Sequence, residues 1–347
     1  MAEGSDQLFT NWRTGVPEQV ITSGIADGAV TTPKLADGAV TTIKLADNSV
    51  STAKIIDEAV NNAKLAFMAE ATFKGRARGV GTGAPSDLNM SDYFRELLTA
   101  NRDYYVATTG SDSNNGLTSL TPFLTVQKAI DVVAGLDFSI YNVNINVAAG
   151  TYTGANTIKN FAGAGTCTIL GASATTTIIN PTSATCFTVI GITSNWTVQA
   201  LRVTATTSGF GFIVFQGSRI TLTGLDFGAC QYHMYSSSSS VININASYSI
   251  SGGGIGHILC EYASNVYYSS GRTVTISNTP AFSSAFVHSF AGGTIRAPTI
   301  TFAGTGATGK RALVEMNGLI AETGTAIGGT YFPGNVAGTA ATGGQFN

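Results

Sequence analysis

From Ile25 the chain repeats itself every ten residues: IADGAVTTPK, LADGAVTTIK, LADNSVSTAK and IIDEAVNNAK, then Leu65-Ala66. Ile25, Leu35, Leu45, Ile55 and Leu65 open the units, and Val30, Val40, Val50 and Val60 hold the sixth place. A fixed period signals an array rather than a globule. One large apolar residue in five is too few for a core, and that spacing fits neither an amphipathic helix nor a strand. A mixed unit fits better. Thr31-Thr32 would cap a helical turn that starts at Pro33, runs through Lys34-Leu35-Ala36 and ends at Gly38, with Ala39-Val40 extended. Two or three parallel copies, each offering one Leu or Ile and one Val per unit to a common axis, would close the seam. A disordered linker is the competing reading, and the Leu/Val register argues against it, since flexible linkers are poor in apolar residues.

Only 11% of the 347 residues are charged and the net charge is −2, so no electrostatic case exists for nucleic acid or an anionic membrane. No apolar run approaches the roughly 20 residues of a membrane-spanning helix. MAEGSDQLFTNWRTG lacks the basic start and apolar centre of a secretory signal, so synthesis in a cytoplasm is expected. Residues 1–24 carry Leu8, Phe9 and Trp12 in a polar setting, either a disordered terminus or a peg for a larger assembly. Cys167, Cys186, Cys230 and Cys260 form no CxxC pair and match no zinc spacing. They read as buried thiols, and no metal or cofactor is expected.

Residues 67–103 read as a connector. Gly75, Gly79, Gly81, Gly83 and Pro85 exclude regular structure in its middle. Ser91 and Asp92 would start a short helix with Phe94, Leu97 and Leu98 on its buried face. Lys74, Arg76 and Arg78 read as a solvated or inter-chain paired strip. From Tyr104 the composition changes. A strand, the turn cluster GSDSNNG and a helix opened by Pro122 follow, with Phe123, Val126, Ala129, Ile130 and Val133 on one face. After Leu136 only short β-type runs recur.

Those runs have their own period. Phe187, Phe212, His233, Ile258, Phe286 and Leu313 open similar units spaced 25, 21, 25, 28 and 27 residues apart. Such units suit the coils of a parallel β-helix, with the Pro122 helix capping its open end. A β-sandwich would want tight hairpins every 8 to 12 residues, and Asn-Gly and Asp-Gly are scarce between the later strands. The expected fold is therefore all-β, a single-stranded parallel solenoid over 104–335 preceded by a fibrous repeat stalk over 25–66. Phe212, Val214, Ile220, Leu222, Ile242, Ile244, Ile258, Val274, Ile276 and Ile300 should face inward. The tail 336–347 looks too rich in Gly and Ala for packed strands, and would be loose or wrap a neighbour.

The tract YYVATTGSDSNNGLTSLTPFLTVQKAID resembles the opening of the pectate-lyase-like right-handed β-helix of bacteriophage tailspikes and tail fibres. The match lies in Gly110, Asp112, Asn114, Gly116, Pro122, Phe123, Thr125, Gln127, Ala129, Ile130 and Asp131. The decads resemble ADGAVTTxKLADGAVTT arrays of phage fibres, and FKGRARGVGTGAPSDL resembles a short element that precedes receptor-binding parts. Together these tracts cover about 100 residues; the coils from Cys186 onward carry no family signature. The resemblance implies a virion component, a parallel homotrimer joined to other virion proteins through its N-terminus, with a distal part that meets a host surface polysaccharide. Leu35, Val40, Leu45, Val50, Ile55, Val60 and Leu65 would then line the three-fold axis with the lysines outward, and Leu8, Phe9 and Trp12 would serve attachment.

Relatives of this fold often cleave polysaccharides, which takes two carboxylates 5–9.5 Å apart, or a calcium-binding acidic cluster with a base. From Tyr104 on, the carboxylates are Asp112, Asp131, Asp137, Asp226, Glu261, Glu315 and Glu322, with no DxD, ExD or DD pair. The coil spacing gives no reason for the last four to converge. His257, Cys260 and Glu261 read as an alternating strand with Cys260 inward, and His233 and His288 carry no signal. Tyr232, Tyr235, Tyr248, Tyr262, Tyr267 and Tyr268, interleaved with Ser and Asn, suit sugar rings. The expectation is a binding fibre that does not cleave its receptor. A depolymerase with carboxylates assembled across coils or chains, and a purely structural neck or collar fibre, are the alternatives.

Overall fold

The computed structural model describes residues 26, 28–41, 45–46, 49–51, 55, 72–75, 86–89, 95–205, 208–323 and 329–347. The chain forms two compact units, Met1–Glu70 and Ala71–Asn347. Leu8, Phe9, Trp12, Val60 and Leu65 lie outside the described residues, as do Ser91, Asp92 and Phe94.

In the first unit the decad period appears as a period of turns. Ala29 N donates to Ala26 O, Ala39 N to Ala36 O and Ser49 N to Ala46 O, at 2.9–3.0 Å. Gly28 and Gly38 take φ of +74° and +73°, a conformation that costs glycine little. The helical turn is shorter than expected: a 3-10 turn, Thr32–Lys34, closed by Lys34 N on Thr31 O, so Leu35 and Ala36 already lie outside it. Lys34 reaches back to Ala29 O through Nζ at 2.8 Å. Val30, Leu35, Val40, Leu45, Val50 and Ile55 are each 44–55% exposed, so a single chain leaves these six apolar side chains uncovered.

In the second unit Thr72–Gly75 pairs antiparallel with Ser86–Asn89, so Gly75 lies in a strand where the connector was expected to be irregular. From Arg102 on, the unit is a parallel β-solenoid of about eight turns with almost no helix. Strands rotate through three sheets of ten, nine and seven strands, and each strand pairs in parallel with its counterparts one coil before and after. On the ten-stranded sheet Cys167, Trp196, Ile220, Ile242, Val266, Ile295 and Ile320 stand in one inward column, all buried. Branched and aromatic side chains at every second residue explain this stacking. On the nine-stranded sheet Phe187, Phe212, Met234, Ile258, Val287 and Ala312 are in register. That is the period legible in the sequence, displaced by one residue at His233, Phe286 and Leu313. All ten residues expected to face inward are buried.

The N-terminal end is closed by the helix Val126–Ala134, N-capped by Thr125, so it starts four residues after Pro122, which was expected to open it. Phe123, Val126, Ala129, Ile130 and Val133 are buried beneath it. The turn cluster is built to dock this cap. Asp112 Oδ1 accepts the amides of Leu124 and Thr125, and Oδ2 accepts the Thr125 hydroxyl. Asn114 donates to Pro122 O. Gln127 exchanges hydrogen bonds with Thr157, and Asp131 pairs with Lys159 at 2.7 Å, tying the cap to the first coil.

Two expectations fail here. The helix expected at 92–98 is not formed in its described part: Glu96–Leu97 is a strand parallel to Leu136–Asp137. Leu98 is buried, Leu97 is exposed, and Arg95 donates to Ala134 O at the end of the helix. Docking to that helix outweighs the local helical pattern. The Gly/Ala-rich tail is not loose either. Thr339–Ala340 and Gln345–Phe346 add the last rungs. Small residues suffice where the backbone ladder supplies the contacts.

Candidate functional site

The six tyrosines fall into three environments. Tyr268 shares the inward column of Ile244, so it lies inside the solenoid. Tyr248, in phase with Ile250, is inside as well. These two correct the expectation of a binding face made of all six. Tyr267 points outward on the ten-stranded sheet, in a column with Asn243, Thr221 and Thr197. Tyr232 and Tyr235 belong to the outer side of the nine-stranded sheet, and exposed Tyr262 sits in the turn that follows its strand Gly254–Cys260.

That outer side is an aromatic platform. The Phe210 ring stacks on Tyr232 at 6.1 Å and on Tyr235 at 5.6 Å, and Phe215 meets Tyr235 edge-on at 4.8 Å. Tyr262 and His288 both pack edge-on against Phe290. The Tyr235 hydroxyl donates to Glu261, and burial together with this carboxylate pushes the Tyr235 pKa up, so it stays a donor. His288 Nε2 lies 3.4 Å from Glu315 Oε2. Burial lowers the His288 pKa, while Glu315 and Glu261 oppose that shift.

Glu261 and Glu315 each follow the end of a nine-stranded-sheet strand. Register places them in one column two coils apart, with Phe290 between them. At about 4.8 Å per rung their backbones stand ~9.6 Å apart. The coil spacing read from the sequence gave no reason for the last four carboxylates to converge; the register brings this one pair into a column. The column was hidden because 54 residues separate the pair, and only the coil lengths 29 and 25 bring them into line. Asp226 is elsewhere, on the seven-stranded sheet, engaged by Arg202 at 3.4 Å and Ser251 at 2.7 Å. The side chain of Glu322 lies outside the described residues.

The HxxCE cluster splits: Cys260 faces inward in phase with Ile258 and Glu261 follows it outside, while His257 is also buried although alternation would turn it outward. Burial pushes the Cys260 thiol up to about 12, which leaves it protonated and without nucleophile chemistry. All four cysteines are buried and free. Among the described residues no cluster of three or more His, Cys, Asp or Glu could hold a metal ion. His233, which carried no signal in sequence, packs inside against His257.

No protein-family model, no curated protein and no solved structure matches the chain.

Proposed function

We propose that this chain is a virion fibre or spike component of a bacteriophage, attached by its N-terminus, trimeric and of the right-handed pectate-lyase-like β-helix type. In this reading its solenoid binds a host surface glycan without cleaving it. The observation that carries the binding role is the platform of Phe210, Phe215, Tyr232, Tyr235 and Tyr262 flanked by Glu261. Rings stack against the apolar faces of pyranoses, and fixed hydroxyl and carboxylate groups take directed hydrogen bonds from sugar hydroxyls. The exposed Leu/Val series of the decads supports assembly of parallel copies, since each copy alone leaves it in water. Location in the virion follows from the fibre reading and from nothing else.

One observation favours cleavage as a second reading. Glu261 and Glu315, about two rungs apart with His288 alongside, approach the spacing of inverting glycosidases. Against it, Glu261 is already held by the Tyr235 hydroxyl. The test incubates the purified full chain with a panel of bacterial surface polysaccharides and measures both retention and new reducing ends. Retention lost in Tyr235→Ala, with no new ends, supports binding alone. New ends abolished by Glu261→Gln or Glu315→Gln establish the depolymerase.

A further inference from the structure

Directly behind the platform, inside the solenoid, four polar side chains form one continuous hydrogen-bonded chain. The Nδ1 atoms of His233 and His257 are 2.8 Å apart. His257 Nε2 is 2.7 Å from the Tyr248 hydroxyl, which is 2.8 Å from the Tyr268 hydroxyl. Both imidazoles are fully buried and both tyrosines nearly so. His233 and His257 sit on strands Tyr232–Ser236 and Gly254–Cys260, whose outer sides carry Tyr232 and Tyr235 and lead into Glu261. Tyr248 and Tyr268 come from the other two sheets, so the chain spans the lumen.

An Nδ1 to Nδ1 contact of this length needs one donor and one acceptor. With this contact intact the pair can take up at most one added proton, on Nε2 of the donor ring, because a second would set two N–H groups head to head. The surroundings offer no relief. Phe227 and Phe282 pack on His233, and Phe286 packs on His257. His233 Nε2 has no hydrogen-bond partner; the Gly228 carbonyl acts on this ring only weakly against its burial. Of the nearby carboxylates, Asp226 is engaged by Arg202 and Ser251, and Glu261 is held on the outer side by Tyr235.

We infer that this buried chain is an acid-sensitive clamp on the platform. At neutral pH it holds the two strands in the register that sets Tyr232, Tyr235 and Glu261. As pH falls these strands open locally and the platform lets go of its ligand. The release, though not the clamp, rests on the glycan-binding reading above. The direction follows from linkage. In the closed state burial holds His233 at about 3 and His257 well below the usual range. In an open state both return to about 6.5, so the open state takes up protons as pH drops through that value. Closure is complete above it. Between pH 7.5 and 5.5 the opening equilibrium should rise about 10-fold per histidine, or about 100-fold for the pair. Carboxylates contribute little in that window.

Native-state amide hydrogen exchange on the full chain, corrected for intrinsic rates, reads this directly. Amides of Met234, Tyr235, Ile258 and Leu259 should show the rise, and those of Ile145 and Ile169 on early coils should not. In the double variant His233→Asn, His257→Gln, which keeps only His288 to titrate in this window, the rise should shrink to at most the about 10-fold that one histidine supplies. Equal pH dependence on both sets of coils overturns the clamp, as does a rise that stays undiminished in the variant. The wild-type comparison decides the matter even if the variant does not fold. A bacterial surface polysaccharide retained at pH 7.5 and equally at pH 5.5 overturns the release. Absence of retention of every such polysaccharide at both pH values overturns the glycan reading instead and leaves the exchange result standing.

Discussion

Asp112 and Thr125 are locked to each other by both ends of one carboxylate: Oδ1 takes the Thr125 amide at 2.9 Å and Oδ2 the Thr125 hydroxyl at 2.8 Å. Thr125 Oγ1 in turn accepts Lys128 N, so a single turn residue fixes the N-cap of the helix that closes the solenoid. Asp112→Ala should remove the carboxylate's hydrogen bonds and loosen the cap, at a cost of about 2–3 kcal/mol. Urea unfolding should show a lower midpoint with an unchanged slope. Asp112→Asn, which keeps an acceptor, should lose less.

Gly116 has φ +69°, and a Cβ there would meet the Phe123 ring at 2.1 Å. Phe123 is buried against the cap and cannot retreat freely. Gly116→Ala should therefore cost about 2–4 kcal/mol, from backbone strain plus overpacking, and should lower the thermal midpoint.

Tyr248 links His257 to Tyr268 through one hydroxyl. Tyr248→Phe keeps the ring but strands two buried polar atoms, so a loss of about 2–4 kcal/mol is expected in chemical denaturation. Retention of wild-type stability would show that the chain contributes nothing to the core.

The platform and the opposite face make distinct predictions. Tyr235→Ala should weaken glycan retention by about 10-fold or more, the loss of a stacking ring worth ~1.5 kcal/mol with its hydrogen bond. Tyr267→Ala, on the ten-stranded sheet, should leave retention unchanged. Calorimetric titration with a retained polysaccharide separates the two.

Leu35 and Leu45 are each almost half exposed in one chain. Leu35→Ser with Leu45→Ser should shift the sedimenting species of the full chain toward the monomer at micromolar concentration. A wild-type chain that sediments as a monomer would sink the stalk reading.

Local spacing in the sequence determined a good deal. The decad period set the turns at Gly28 and Gly38, because glycine tolerates positive φ there. Alternation of Val, Ile and Phe named the inward residues, because a strand sends successive side chains to opposite faces and only apolar ones stack inside. The same alternation already placed Tyr268 in phase with Val266, a signal outweighed by the density of tyrosines nearby. What the chain alone did not decide depends on coil length. Whether Glu261 meets Glu315, or His233 meets His257, turns on how many residues each coil spends at its corners. Coil lengths beyond the capping helix vary from 22, between Arg219 and Val241, to 31, between Asn156 and Phe187. Backbone ladders between coils fix that register cooperatively, so lateral neighbours exist only once the solenoid is wound.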